Sequence, residues 1–214
     1  DNTYRALLVK VEKRMSRRYQ FLVSYTLASA KDNGFTNNSP DVYGYTTVER
    51  YGSADRRHRM VTSGIFQAPG DILVSAILDL RSSLPFGPST SFDLDSPGDG
   101  YTGDLPTGVA VGSGCRDLNL DAVNTFRASR NLAPISSVEC PSFVNLDLRM
   151  SKSFTVGGVH RFEFIAQLFN VLNRGNKGTP TGNLTSNLFG QSTSISPNIN
   201  APSRQAEFAI RYQF

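Results

Sequence analysis

The last ten residues, Gln205-Ala-Glu-Phe-Ala-Ile-Arg-Tyr-Gln-Phe214, decide the fold class, because their apolar side chains recur at every second position. Ala206, Phe208, Ile210, Tyr212 and Phe214 fall on one side of an extended chain, and Gln205, Glu207, Ala209, Arg211 and Gln213 on the other. Successive side chains of a β-strand point to opposite faces, so this pattern predicts a strand with one apolar and one polar surface.

The same unit recurs upstream. Val144, Leu146, Leu148 and Met150 oppose Asn145, Asp147, Arg149 and Ser151. Phe162, Phe164, Ala166 and Leu168 oppose Arg161, Glu163 and Gln167, although Ile165 and Phe169 intrude on the polar side. Ile72, Val74, Ala76, Leu78 and Leu80 oppose Ser75, Asp79 and Arg81, while Tyr19, Phe21, Val23, Tyr25 and Leu27 oppose Gln20, Ser24, Thr26 and Ala28. The facing of 58–68 is ambiguous: Met60 and Phe66 argue for one register, Val61 and Ile65 for the other. Seven strands are predicted, near 4–14, 19–31, 58–68, 72–82, 142–155, 160–173 and 204–214.

The connections alternate in length. Tight turns fall near 15–18, 69–71 and 156–159, and long loops near 32–57, 83–141 and 174–203. Outer-membrane barrels sort their connections this way, with short periplasmic turns and longer extracellular loops. Each strand is also about the 9–11 residues that a tilted strand needs to cross the hydrocarbon layer. The long loops are rich in Asn, Ser, Gly, Pro and Asp, and are expected to be wet and exposed.

Composition agrees. The hydrophobic fraction is 39% and the mean hydropathy -0.27, yet 14 Phe and 8 Tyr supply aromatic surface. A barrel needs only one greasy face. No run approaches the roughly 20 apolar residues of a membrane-spanning helix, so a membrane role must come through strands. The expected fold is all-β, an antiparallel up-and-down transmembrane β-barrel segment; a soluble β-sandwich binding module is the alternative that composition leaves open. With tight turns on the periplasmic side, the first and last strands both run downward. Single-chain bacterial barrels have an even number of strands, so seven are expected to belong to a larger barrel. The chain starts at Asp1 without a signal peptide, as a mature or excised segment would.

Four segments then carry a resemblance: Asp55-Arg-Arg-His-Arg59 with Ser63-Gly64, Asn145-Leu-Asp-Leu-Arg-Met-Ser-Lys-Ser-Phe154, Leu168-Phe-Asn-Val-Leu-Asn-Arg174 and Ala209-Ile-Arg-Tyr-Gln-Phe214. In this order they resemble the C-terminal barrel region of Oar-like TonB-dependent receptors, over nearly all seven strands and not in the loops. The resemblance implies a barrel of about 22 strands closed by a plug domain, with transport driven by the TonB system. Neither plug nor TonB box stands in this sequence, so contact with the TonB system would run through the missing plug.

Several residues are candidates for particular roles. Phe208, Ile210, Tyr212 and Phe214 resemble the C-terminal signal read by the barrel-assembly machinery, which would pair with this strand by β-augmentation. Arg56, Arg57 and Arg59, beside Asp55 and His58, would stand at the outer rim. They could clamp phosphates of lipopolysaccharide in bidentate fashion, or form a charge network that orients the strand entry. Arg81, Asp147, Arg149, Arg161, Glu163, Glu207 and Arg211 are expected to form a polar network facing the lumen. Cys115 and Cys140 would pair in an oxidising compartment, with two free thiols as the alternative. Asp93, Asp95, Asp99 and Asp104 place oxygen ligands in a Gly-rich loop in the manner of a weak Ca2+ site. Pro97 interrupts that set and no Glu closes it, so a solvated acidic loop is the expectation. Lys13, Arg14, Arg17 and Arg18 belong to a turn and should be solvated.

Other function classes find little support. The net charge of +4 and pI near 9.2 come from scattered residues without a basic helix, so no nucleic-acid partner is expected. His58 and His160 lie at strand ends outside any nucleophile or zinc motif, so no enzyme activity and no cofactor are expected. The expected partners are outer-membrane lipid, lipopolysaccharide and the assembly machinery. An adhesin or an oligomeric structural barrel is the alternative within the same architecture.

Overall fold

The computed structural model describes residues 2–32, 50–94, 104–196 and 202–214. Five strands come first: β1 (Asn2–Ser16), β2 (Tyr19–Asp32), β3 (Arg50–Tyr51), β4 (His58–Ala68) and β5 (Ile72–Arg81). Helix α1 (Leu120–Ser129) follows, and then β6 (Phe143–Val156), β7 (His160–Phe169) and β8 (Gln205–Gln213). The long strands form one sheet in the order β1-β2-β4-β5-β6-β7-β8, all neighbours antiparallel, and the two-residue β3 adds to the end of β2. Sequential strands are therefore spatial neighbours, as in an up-and-down meander. Among the described residues β1 and β8 do not pair with each other.

Directly opposed residues of paired strands share a face, so the register carries the alternation across the sheet. On the apolar face Leu7, Val9 and Val11 oppose Leu27, Tyr25 and Val23. Leu80, Leu78 and Ala76 continue that face to Val144, Leu146 and Leu148, and Phe162, Phe164 and Ala166 continue it to Tyr212, Ile210 and Phe208. The ambiguity of β4 is resolved here. Met60 and Phe66 stand opposite Leu80 and Val74 on the apolar face, whereas Val61 and Ile65 stand opposite Asp79 and Ser75 on the polar one.

The three tight turns share one backbone solution. Arg17 and Arg18, Gly70 and Asp71, and Gly157 and Gly158 each place two consecutive residues at positive φ. That is the primed turn geometry whose twist matches a right-twisted hairpin. The first turn is shorter than expected, because β1 runs on to Ser16 through a register shift after Lys13. Strand β7 ends earlier than expected, at Phe169, because Asn170 and Asn173 turn the chain at φ of 47° and 50°.

The main core lies outside the sheet. Phe86, Val109, Val123, Phe126, Leu184 and Phe189 form one buried cluster, drawn from the β5–β6 and β7–β8 connections. This corrects the expectation of wet, exposed loops. The 83–141 connection contains α1, and isolated bridges Phe86↔Gly114 and Ser89↔Asn183 tie it to itself and to the last connection. Helix α1 forms because Asn119 caps it, its side chain accepting the Ala122 N–H, with Asp121 in the first turn and Arg127 in the last. Val123 and Phe126, three apart, turn one stripe into the cluster. Asn131 at φ 57° stops the helix just beyond its C-cap. A disulfide joins Cys115 to Cys140 across the helix-bearing segment, with their Cα atoms 5.5 Å apart. This folded unit is called the cap below.

Candidate functional site at the long-loop end of the sheet

Asp55 organises the junction between cap and sheet. Its side chain is fully buried, and Arg116, 61 residues further along, reaches it with Nε at 2.7 Å. Arg116 also donates to the carbonyls of Asp55, Ser83 and Cys115, while the Ala30 N–H at the end of β2 donates to Asp55 Oδ1 at 2.7 Å. A carboxylate and a guanidinium hidden together are tolerable when further hydrogen bonds satisfy both, as they do here. Close approach completes the contact: a Cβ on Gly112, which stands at φ 67°, would lie 2.3 Å from the Tyr51 carbonyl oxygen. Only glycine fits there.

The three rim arginines do not converge on one outward point. Arg56 donates to the Ser82 carbonyl. Arg57 lies 3.6 Å from Asp55 Oδ2 and over the Tyr51 ring at 5.3 Å, and its buried Nε makes no hydrogen bond among the described residues. Arg59 shares the polar face with Asp79, at 3.7 Å. Burial disfavours the charged form of Arg56, and the positive charges of Arg81 and Arg59 add to the effect, so its pKa is lowered. It remains protonated, as arginines do.

All seven residues expected on the lumenal side share the polar face, where Arg211 and Glu163 pair with each other and Arg81, Arg161 and Asp147 bond to other residues. Arg81 makes a bidentate contact with Asp79 and lies 4.5 Å from the centre of the Phe143 ring. Arg211 reaches Glu163 at 3.3 Å, and Arg161 lies 3.4 Å from the Ser153 hydroxyl. Arg149 stands opposite Gln167, and Gln167 opposite Glu207. Asp147 accepts the Asn170 N–H at 2.9 Å.

That last bond gives two of the quoted segments a physical reason. The Asn170 amide spans the turn after β7, donating to the Arg174 and Pro202 carbonyls and accepting the Arg174 N–H. Asn173 accepts the Arg204 N–H just before β8. Asparagine tolerates positive φ and can bond to nearby backbone, which is what this corner requires. Asn176 brackets Val144, accepting its N–H and donating to its carbonyl, and so replaces a strand partner at the start of β6.

The apolar face carries a His–Tyr pair at each end. Tyr25 and His58 share a hydrogen bond of 2.9 Å near the long loops, and His160 and Tyr212 share one of 2.6 Å near the tight turns. Phe154 stacks on Phe162 and Phe164, and Tyr212 on Phe214. Aromatic girdles at two heights are what a membrane-crossing sheet places at its interfaces. Phe208 is 80% exposed and Phe214 92%.

Of the acidic-loop candidates, Asp95 and Asp99 lie outside the described residues. Asp104 is occupied by the chain itself: its Oδ2 accepts the Leu94 N–H at 2.6 Å and its carbonyl accepts the Thr90 hydroxyl. No group of metal-ligating side chains occurs among the described residues.

The cap holds two charged residues that no local pattern marks. Arg127, 1% exposed, donates to the carbonyls of Ala133, Leu184 and Ser186, bridging the two long connections. Burial lowers its pKa. Glu139 accepts two bonds from Lys177 and one from the Ser192 N–H. The Lys177 bonds are the main cause holding its carboxyl below the usual range, with the Ser192 N–H next. Each links residues far apart in sequence, so periodicity could not have revealed it.

A family model described as Outer membrane beta barrel domain matches residues 1–207. No curated protein and no solved structure matches the chain. With an apolar face girdled by aromatics, a polar face of paired charges and this match over nearly its whole length, the chain belongs to the outer membrane beta barrel domain family and resides in the outer membrane of Gram-negative bacteria.

Proposed function

We propose that this chain is part of the wall and extracellular loops of a TonB-dependent transporter that moves a still unidentified solute across the outer membrane. The observation that carries the reading is an open polar face: seven long strands run from β1 to β8, and among the described residues those two edges do not pair with each other. Unpaired strand edges in hydrocarbon cost several kcal/mol per group, so further strands would complete the wall and widen the lumen. Charged pairs such as Arg211–Glu163 suit a hydrated lumen against which a plug packs and past which a solute moves. The short segments that resemble Oar-like receptors support the same reading.

The partners follow from the surfaces. Lipid covers the apolar face, lipopolysaccharide borders it at the long-loop end, the assembly machinery reads Phe208 to Phe214, and the TonB system acts through the plug. No catalytic role is proposed, since His58 and His160 each hold a tyrosine hydroxyl. Deleting the full-length gene should abolish uptake of one compound from a panel of iron chelates, glycans and peptides, and deleting TonB should abolish it too. Uptake that survives loss of TonB would sink the reading. The folded cap favours one second reading, a surface adhesin that displays it; loss of surface attachment with uptake intact would mark that case.

A further inference from the structure

Arg59 and Arg81 stand directly opposite each other on β4 and β5, on the polar face. Like charges in directly opposed positions destabilise a sheet, and here one carboxylate serves both: Asp79 takes Arg81 in a bidentate grip and lies 3.7 Å from Arg59. Arg56 stands at the same end with its guanidinium on the Ser82 carbonyl. Its charged form is disfavoured by burial and then by Arg81 and Arg59, so the three cations feel one another. Four arginines of this end share two carboxylates: Arg57 and Arg116 lie against Asp55, and Arg59 and Arg81 against Asp79. Positive charge is in excess, and Asp55 is already committed to Arg116.

We propose that Arg59 and Arg81 form an oxyanion site at the long-loop mouth of the polar face, which takes a phosphate-class group of a solute. A guanidinium carries five N–H donors in a fixed fork. Asp79 uses only Nε and one terminal nitrogen of Arg81, and Arg59, half exposed, comes no closer than 3.7 Å to that carboxylate. Donors remain for an oxyanion, and its charge would relieve the opposition of Arg59 and Arg81. Placement decides the source. Arg59 and Arg81 share their face with Asp79, Asn145 and Thr26, away from the aromatic girdle, so the group arrives with a solute in the lumen rather than on a lipid headgroup.

The inference rests on reading the polar face as a transport lumen, and it names the class of solute. The test is titration of the full-length protein in detergent with inorganic phosphate, at low and high salt. Binding should weaken about tenfold in Arg59→Gln, the loss of one charge-assisted contact. It should weaken less in Arg59→Lys, which keeps the charge and loses the fork. Arg18→Gln, which removes one positive charge from a tight turn at the opposite end, should bind as the parent does, and heat-modifiable migration should show all three variants folded. Equal phosphate binding in the parent and Arg59→Gln, or no phosphate binding in the parent, would overturn the site. Native lipopolysaccharide displacing phosphate in an Arg59-dependent way, where dephosphorylated lipopolysaccharide does not, would overturn the solute as its source. Arg59-dependent phosphate binding in a protein whose uptake ignores TonB would uphold the site while the transporter reading fails.

Discussion

The sheet and the cap solve the problem of apolar surface in opposite ways. On the sheet, large apolar side chains of the lipid-facing side stand open: Phe208 is 80% exposed, Ile210 66% and Leu7 57%. In the cap, Val123 and Leu184 are completely buried and Phe189 nearly so. Hydrophobic burial against water therefore folds the cap, whereas the sheet is held by its ladder of backbone hydrogen bonds and meets lipid on its apolar side. The two regions are joined by polar contacts, among them Asp55 with Arg116 and Ala30, and Asn176 with Val144. A globular unit with its own core, helix and disulfide sits on a sheet whose solvent is different. The two should respond differently to the same insult.

The strongest way to break that comparison is to remove Arg127. In Arg127→Met the carbonyls of Ala133, Leu184 and Ser186 lose their donor while staying covered, at about 4 kcal/mol in cap stability. Protease cleavage within the long connections should rise sharply, while heat-modifiable migration of the barrel stays as in the parent. If the barrel melts along with the cap, the two regions are one cooperative unit and the contrast is false. Next comes the disulfide. Cys115 and Cys140 are 25 residues apart, and opening that loop in Cys115→Ser should cost the cap about 3 kcal/mol by chain entropy. Hydrogen exchange should quicken across α1 and leave β4–β7 unchanged.

The same contrast explains what could be read from the sequence. The strands were readable because an interface between lipid and water imposes a period of two, and Gln205–Gln213 displays it almost without exception. Strand β4 was ambiguous because Val61 and Ile65 bring apolar side chains to the polar face, and only the register with β5 decides. The loops read as wet because their Gly, Asn and Ser content hides a sparse set of anchors. Phe86, Val109, Val123 and Leu184 are scattered over roughly a hundred positions, with no period to connect them. Helix α1 did leave a signal, a capping Asn119 followed by apolar residues at 122, 123 and 126. Arg56, Arg57 and Arg59 stand out in the sequence as a run of like charge, whereas Arg116 lies in an aperiodic stretch and Asp79 looks like any polar residue of a strand.

The gentlest probe of the comparison is acid. Lys177 and the Ser192 N–H hold the Glu139 carboxyl below the ordinary value of 4.5, so the folded cap favours its charged form more than the unfolded chain does. A lowered folded pKa gives stability that is fully present above the unfolded value and lost as pH falls through the folded one. Glu139→Gln removes that contribution at every pH. Protease resistance of the cap in the parent should therefore exceed that of Glu139→Gln by a constant amount above about pH 5, and the gap should close as the medium is acidified. Other carboxylates titrate in the same range, but they do so in both proteins and cancel in the difference. The carboxylates of the sheet lie on another unit, so the gap should appear in the cap alone, with barrel migration unchanged between the two proteins. A gap that persists undiminished at pH 3 would mean that the Glu139 carboxyl acts through shape rather than charge, and the Lys177 contact would lose its place among the forces that close the cap.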